Sequence, residues 1–209
     1  MLLYELLSKN TKLAADVMKN PSEPITTGID SLDETAGKLN PGEVILVESN
    51  DILTRTAFIL NFAIKNTTQN KIPIAIFSSV MKTVDLAKQV FMSMDDFQVI
   101  SKNTPLYIED ANNSSLAEIK ERIIKLKESS MIEVVAIDSI DYISAALPSA
   151  NGQKIAGLYE YIRGIKQIAK EFHLTIILTA QTIDDTKLPK ELAVANSLAD
   201  VLIDISMLD

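Results

Sequence analysis

Short apolar runs alternate along this chain with stretches whose apolar residues recur every three or four positions, and that alternation leaves few folds open. The runs fall at 44–47, 72–78, 106–108, 134–137, 174–180 and 199–205. A strand covered on both faces reads as a continuous apolar run, whereas an amphipathic helix shows a period near 3.6. Helical stripes follow the first three runs: Ala57, Ile59, Leu60, Ala63 and Ile64; then Val84, Leu86, Ala87, Val90 and Phe91; then Leu116, Ile119, Ile123, Ile124 and Leu126. Ser115 precedes the last of these with Glu118 three residues on, the spacing of a capping box. A small-residue loop is expected at 144–157, a helix at 158–172, and a polar, poorly periodic stretch at 182–195. Repeated strand–helix alternation predicts an α/β domain with a mostly parallel central sheet flanked by helices. In such sheets ligands gather beyond the carboxyl ends of the strands.

Composition narrows the function classes. The 209 residues, 47% of them hydrophobic, suffice for one well-filled core. No cysteine and a single histidine exclude disulfides, thiolate metal sites and histidine-based metal sites. The net charge of −8 opposes nonspecific attraction to a phosphate backbone, so weak or no nucleic-acid binding is expected. No apolar run reaches the roughly 18 residues that span a bilayer, and the N-terminus lacks a signal-peptide pattern. The expectation is a cytoplasmic protein with no membrane partner.

Residues 1–24 read as a helical arm. Leu3, Leu6, Leu7, Ala14, Val17 and Met18 form its stripe, and Pro21 and Pro24 end it. The stripe either folds back on its own domain, residues 25–209, or docks on a neighbouring subunit.

The run at 44–47 leads through a polar octet, Ser49 to Thr56, into a helix, the place where a phosphate loop sits in many nucleotide-binding folds. The pattern G-x-x-x-x-G-K-[ST] requires two glycines and a lysine, and only Thr56 fits it. On the residues alone the octet is an ordinary strand-to-helix connection. Asp138 stands where the run at 134–137 stops, and Gln181 follows the run at 174–180. His173 lies where a helix gives way to a strand and reads as a helix-ending residue in the left-handed conformation, without chemistry.

Five segments in order carry a resemblance. TGIDSLDETAGKLNPGEVILVES, IPIAIFSSVM, LYIEDANNSSLAEIKERIIKLK, VVAIDSI and IRGIKQIAKEFHLTIILTAQ resemble the C-terminal, RecA-like ATPase domain of DnaB-type replicative helicases. Proteins of the RadA and KaiC kind share parts of them. The resemblance implies a RecA-like P-loop NTPase fold over nearly the whole chain.

It also implies that the chemistry is damaged. The family's phosphate-loop glycine and lysine correspond to Thr54 and Arg55, while its magnesium-binding hydroxyl survives as Thr56. A β-branched threonine blocks the backbone approach that glycine allows, and a planar guanidinium cannot take the place of an ammonium between two phosphates. Val80 stands at the position of the catalytic glutamate and can neither accept a proton nor orient water. Leu188 falls at the arginine-finger position and carries no charge for a neighbouring site. Asp138 corresponds to the Walker B aspartate, with Thr56 the remnant of a magnesium site, yet a carboxylate at a strand end is equally a solvated terminus. Ser49, Asn50, Thr54, Arg55 and Thr56, with Gln181, would then be a vestigial phosphate loop with no intact catalytic residue. The expected cofactor is none, or at most weakly held ATP and Mg2+.

Two functions fit. One is a degenerate, non-hydrolysing helicase-core homologue in DNA replication or recombination, acting through self-association or a related helicase or loader subunit. The other is a divergent but active ATP-dependent helicase or ATPase subunit using Thr56, Asp138 and Gln181. The arm offers a test common to both. Residues 1–19 are expected to mediate self-association, or binding to a related helicase subunit, without ATP. Light scattering of full-length and truncated chains checks this, and two monomers that ignore a helicase partner would refute it.

Overall fold

The computed structural model describes residues 25–92, 103–142, 153–182 and 190–206. The arm expected at 1–24, and Leu188, lie outside them. In chain order the elements are α1 (Asp30–Ala36), β1 (Val44–Ser49), α2 (Ile52–Thr68), β2 (Ile74–Ser78), α3 (Thr83–Met92) and β3 (Leu106–Asp110). There follow α4 (Leu116–Ser130), β4 (Val134–Asp138), α5 (Gln153–Phe172), β5 (Thr175–Gln181), α6 (Lys190–Leu198) and β6 (Val201–Asp204). The strands make one sheet in the order β3-β2-β4-β5-β1-β6, parallel throughout.

The continuous apolar runs are explained by burial on both faces. Alternate residues of one strand enter different cores. Val44 and Leu46, with Ala75, Phe77, Val135 and Ile137, face a cluster completed by α4, α5 and α6. Ile45 and Val47, with Ile74, Ile76, Val134 and Ala136, face a second cluster filled by α1 and α2. A one-residue slip of β1 would exchange the two sets, so the pairing of Val44 with Ile176 and of Ile45 with Val201 is fixed from both sides.

A polar clasp closes the chain's entry into the domain. The backbone N–H and the hydroxyl of Thr27 donate to Oδ1 of Asp33 at 2.6 and 2.8 Å, and the Gly28 N–H donates to its Oδ2 at 3.2 Å. Gly28 has a φ of 85°, where a side chain would be strained and would press on the Lys65 stem. Nζ of Lys65 donates to the Gly28 carbonyl at 2.8 Å, tying the clasp to α2.

Asn66 and Thr67, polar as they are, lie buried in the last turn of α2, where Asn66 donates to the carbonyls of Phe62 and Thr26. Two expectations differ from the structure. Gly157, expected in a loop, lies within α5. Part of the stretch at 182–195 is helical as α6, whose Val194, Ala195 and Leu198 pack on the first cluster. His173 does take the left-handed conformation, with a φ of 50°.

The capping box at α4 is formed: the Ser115 hydroxyl accepts from the Glu118 N–H, and the Glu118 carboxylate accepts from the Ser115 N–H at 2.7 Å. Ser115→Ala is therefore expected to lower stability by about 1 kcal/mol. Urea unfolding with an unchanged m-value checks it, and an unshifted midpoint would contradict it.

Candidate functional site

The carboxyl ends of β1, β4 and β5 meet the start of α2, and this is where the chemistry of such a sheet would sit. Ser49 ends β1, Asp51 is the N-cap, and α2 begins at Ile52. Thr54, Arg55 and Thr56 therefore lie in helix, five residues earlier than the stripe from Ala57 suggested. Of the vestigial phosphate-loop residues, only the buried Ser49 and the exposed Asn50 lie outside that helix.

A helix N-terminus presents free N–H groups and partial positive charge, and so attracts anions. Here an anion of the chain itself takes the position. Oδ2 of Asp51 accepts from both the backbone N–H and the hydroxyl of Thr54, each at 2.7 Å. Those two donors hold the Asp51 carboxyl below its ordinary range, with a smaller contribution from the Arg55 charge. The Asp51 N–H in turn donates to Oγ of Ser49 at 3.2 Å.

Arg55 points away from that cap. Its side chain is 1% exposed, donates to the Ser49 carbonyl at 3.3 Å and pairs with Asp141 at 3.3 Å. Asp141 is a hub: it also accepts from the Ser139 hydroxyl at 2.7 Å and from the Gln181 backbone N–H at 3.1 Å. Gln181 thus joins the site through its main chain, while its side chain stands exposed at the end of β5.

Thr56 and Asp138 do come together. The Thr56 hydroxyl donates to one Asp138 oxygen at 3.0 Å, and the Thr179 hydroxyl from β5 donates to the other at 2.7 Å. Asp138 is 1% exposed, and burial raises its carboxyl, opposed by those hydroxyls and by the Arg55 charge. Among the described residues no group of three or more histidine, cysteine or acidic side chains could hold a metal ion. Val80, half-buried just beyond β2, brings no carboxylate to this end of the sheet.

Asp51, Asp141 and Thr179 are site residues that the sequence did not single out. Asp51 had a signal, an acidic residue immediately before a helix. It was hidden because matching the octet to a phosphate loop assigns that stretch to loop.

Comparisons with known proteins agree on the kind of domain. Residues 91–187 match the DnaB-like helicase C terminal domain. The chain is 25% identical over 178 residues to the replicative DNA helicase DnaB of Leifsonia xyli subsp. xyli, an alignment covering 75% of this chain and 38% of that one. It is 24% identical over 198 residues to a probable replicative DNA helicase of Trieres chinensis, covering 82% and 43%. The chain thus spans about two fifths of the length of these curated relatives. Among solved structures, a KaiC-like protein from Pyrococcus horikoshii OT3 superposes with a TM-score of 0.70 at 21% identity, over 88% of this chain and 81% of that one. At that identity the likeness shows the fold. The sequence resemblance to the DnaB-type C-terminal domain is borne out, and the fold is RecA-like. Among the described residues, no helix is long and apolar enough to cross a membrane.

The residues as placed do not fit a nucleoside triphosphate with its metal. The Asp51 carboxylate holds the start of α2, Arg55 is turned inward, and both Asp138 oxygens are taken by hydroxyls. The raised carboxyl of Asp138 gives a measurable signature. Its folded value lies above the ordinary carboxyl value of about 3.9, so its contribution to stability is fully present below that pH and is lost as pH rises through the folded value. Asp138→Asn, which never ionises, is expected to gain stability relative to the unaltered chain as pH rises from about 3 through the folded value. Denaturant midpoints across that range check the sign, and a variant that loses stability relative to the unaltered chain as pH rises would refute it.

Proposed function

We propose that this chain is a DnaB-type helicase-core homologue that no longer hydrolyses ATP and acts in the cytoplasm by associating with other subunits during DNA replication or recombination. The observation that carries this reading is the Asp51 carboxylate seated on the N–H and hydroxyl of Thr54. A phosphate brought to the same helix start would meet a fixed negative charge and would have to displace two charge-assisted hydrogen bonds. Val80 adds a second loss, since water there has no carboxylate to orient it. Loss of one such group typically costs about a hundredfold in rate, and losses affecting separate parts of one mechanism leave little catalysis.

The Thr56–Asp138 contact favours the alternative, a divergent ATPase or helicase subunit, because it keeps a hydroxyl and a carboxylate adjacent as a magnesium site would. Against it, each oxygen of that carboxylate already accepts a hydrogen bond.

Magnesium-dependent ATP hydrolysis decides between the two. The chain is expected to hydrolyse ATP no faster than Asp138→Ala, and turnover abolished by that substitution would overturn the proposal. Replacing Asp51 by Ala together with Thr54→Gly, Arg55→Lys and Val80→Glu is expected to recover nucleotide binding, measured by calorimetry, before turnover. Single-stranded DNA is expected to bind weakly at physiological salt, given the net charge of −8. Fluorescence anisotropy reads this directly, and steeply salt-dependent nanomolar binding would contradict it.

A further inference from the structure

A cavity of about 710 Å3 opens on the other side of the sheet from α2, between the start of α4 and α5. Its size lies within the roughly 300 to 1,000 Å3 of small-molecule sites. The wall holds two polar side chains whose oxygens have no partner. Ser79, just beyond β2, is 4% exposed, and Tyr161 of α5 is 6% exposed. Neither hydroxyl is hydrogen-bonded. Native interiors rarely leave a buried hydroxyl unpaired, because it forfeits its bonds to water and gains nothing in return. Two such groups, from different elements, share the wall of one cavity.

The remaining polar groups narrow the ligand. Ser115 and Glu118 satisfy each other in the α4 capping box, and the Ser114 hydroxyl accepts from Arg122, so the helix start makes no demand for an anion. Arg163, at the rim, is 67% exposed and paired with Glu160. Burial pushes the Tyr161 phenol up, which keeps it a neutral hydroxyl. With no buried charge in the wall, a charged ligand would lose its hydration without compensation. An uncharged ligand is selected.

Shape narrows it further. Gly157, Tyr161 and Gly164 are spaced by four and three residues, hence on one face of α5. At Gly164 the side chain of Leu116 fills the space a Cβ would take, bringing α4 against α5. Gly157, also in the lining, contributes no side chain of its own to the wall. Tyr142, also in the wall and 45% exposed, offers a ring face for stacking.

We infer that this cavity binds a small uncharged heteroaromatic molecule of the nucleobase or nucleoside class, whose ring edge supplies the partners missing at Ser79 and Tyr161. Alternating donors and acceptors on such an edge suit two hydroxyls, each able to donate or accept. The site is separate from the Asp51 cap and needs no phosphate.

Adenosine, guanosine, cytidine and uridine are the probes, titrated into the full chain by calorimetry and by ligand-observed NMR. At least one is expected to bind once per chain with a Kd below about 1 mM. Tyr161→Phe and Ser79→Ala are each expected to weaken it about tenfold while leaving the Tm unchanged or raised, since each removes an unpaired hydroxyl. The proposal is overturned if none of the four binds at millimolar concentration, as expected of a cavity that holds water alone. It is equally overturned if Tyr161→Phe and Ser79→Ala bind as well as the unaltered chain.

Discussion

Two hydrogen bonds from Thr54 to one oxygen of Asp51 decide what the carboxyl end of this sheet can be. A strand pointing at a helix start creates a concentration of unpaired N–H groups that some acceptor must satisfy. In a phosphate-binding loop, several residues of extended backbone leave room for a ligand to do so. Here the helix begins at Ile52, with only two residues between it and the strand, and the acceptor comes from within. The consequences spread from there. With the anion position filled internally, Arg55 has no phosphate to meet, and it is stabilised instead as a buried partner of Asp141 and the Ser49 carbonyl. That pairing holds the β4 end near the start of α2. Asp141 also accepts from the Gln181 N–H, so three strand ends are joined by polar contacts that serve the fold itself.

The sheet does not depend on that chemistry. Its strands are held by two apolar clusters that exchange partners residue by residue along each strand, and the site sits beyond them. A domain built this way can lose its phosphate cradle without losing its core. The carboxyl end is polar under either use, and the strands below it do not register the difference.

How much of this was legible from the sequence follows the same division. The strands were readable because Val44 to Val47 and Val134 to Ile137 are continuous apolar runs, and burial on both sides is what such runs record. Gly157 misled because glycine ordinarily punctuates, whereas in α5 it forms part of a cavity wall. The helix α6 was hidden because its packed residues include Val194 and Ala195, a weak apolar face among polar neighbours. Asp51 carried the signal of a helix cap but was masked by the phosphate-loop match, whereas Asp141 was not readable as a site residue, since what makes it so is the position of Arg55 in space. Thr179 falls in a β-strand pattern that fits a threonine on general grounds, and only its approach to Asp138 gives it a further meaning.

The clasp at Thr27, Gly28 and Asp33 has a mechanical side. Where the described chain begins, it is tethered to the domain by a short bridge between Ile25 and Leu39 and by this knot of hydrogen bonds. Lys65, gripping the Gly28 carbonyl, carries any pull on that tether into the far end of α2, the helix whose near end is capped by Asp51. A helix transmits axial load well because its hydrogen bonds run along its length. Tension applied at the entry would therefore reach not only the sheet, through Leu39 and β1, but also the helix that borders the polar end of β1, β4 and β5.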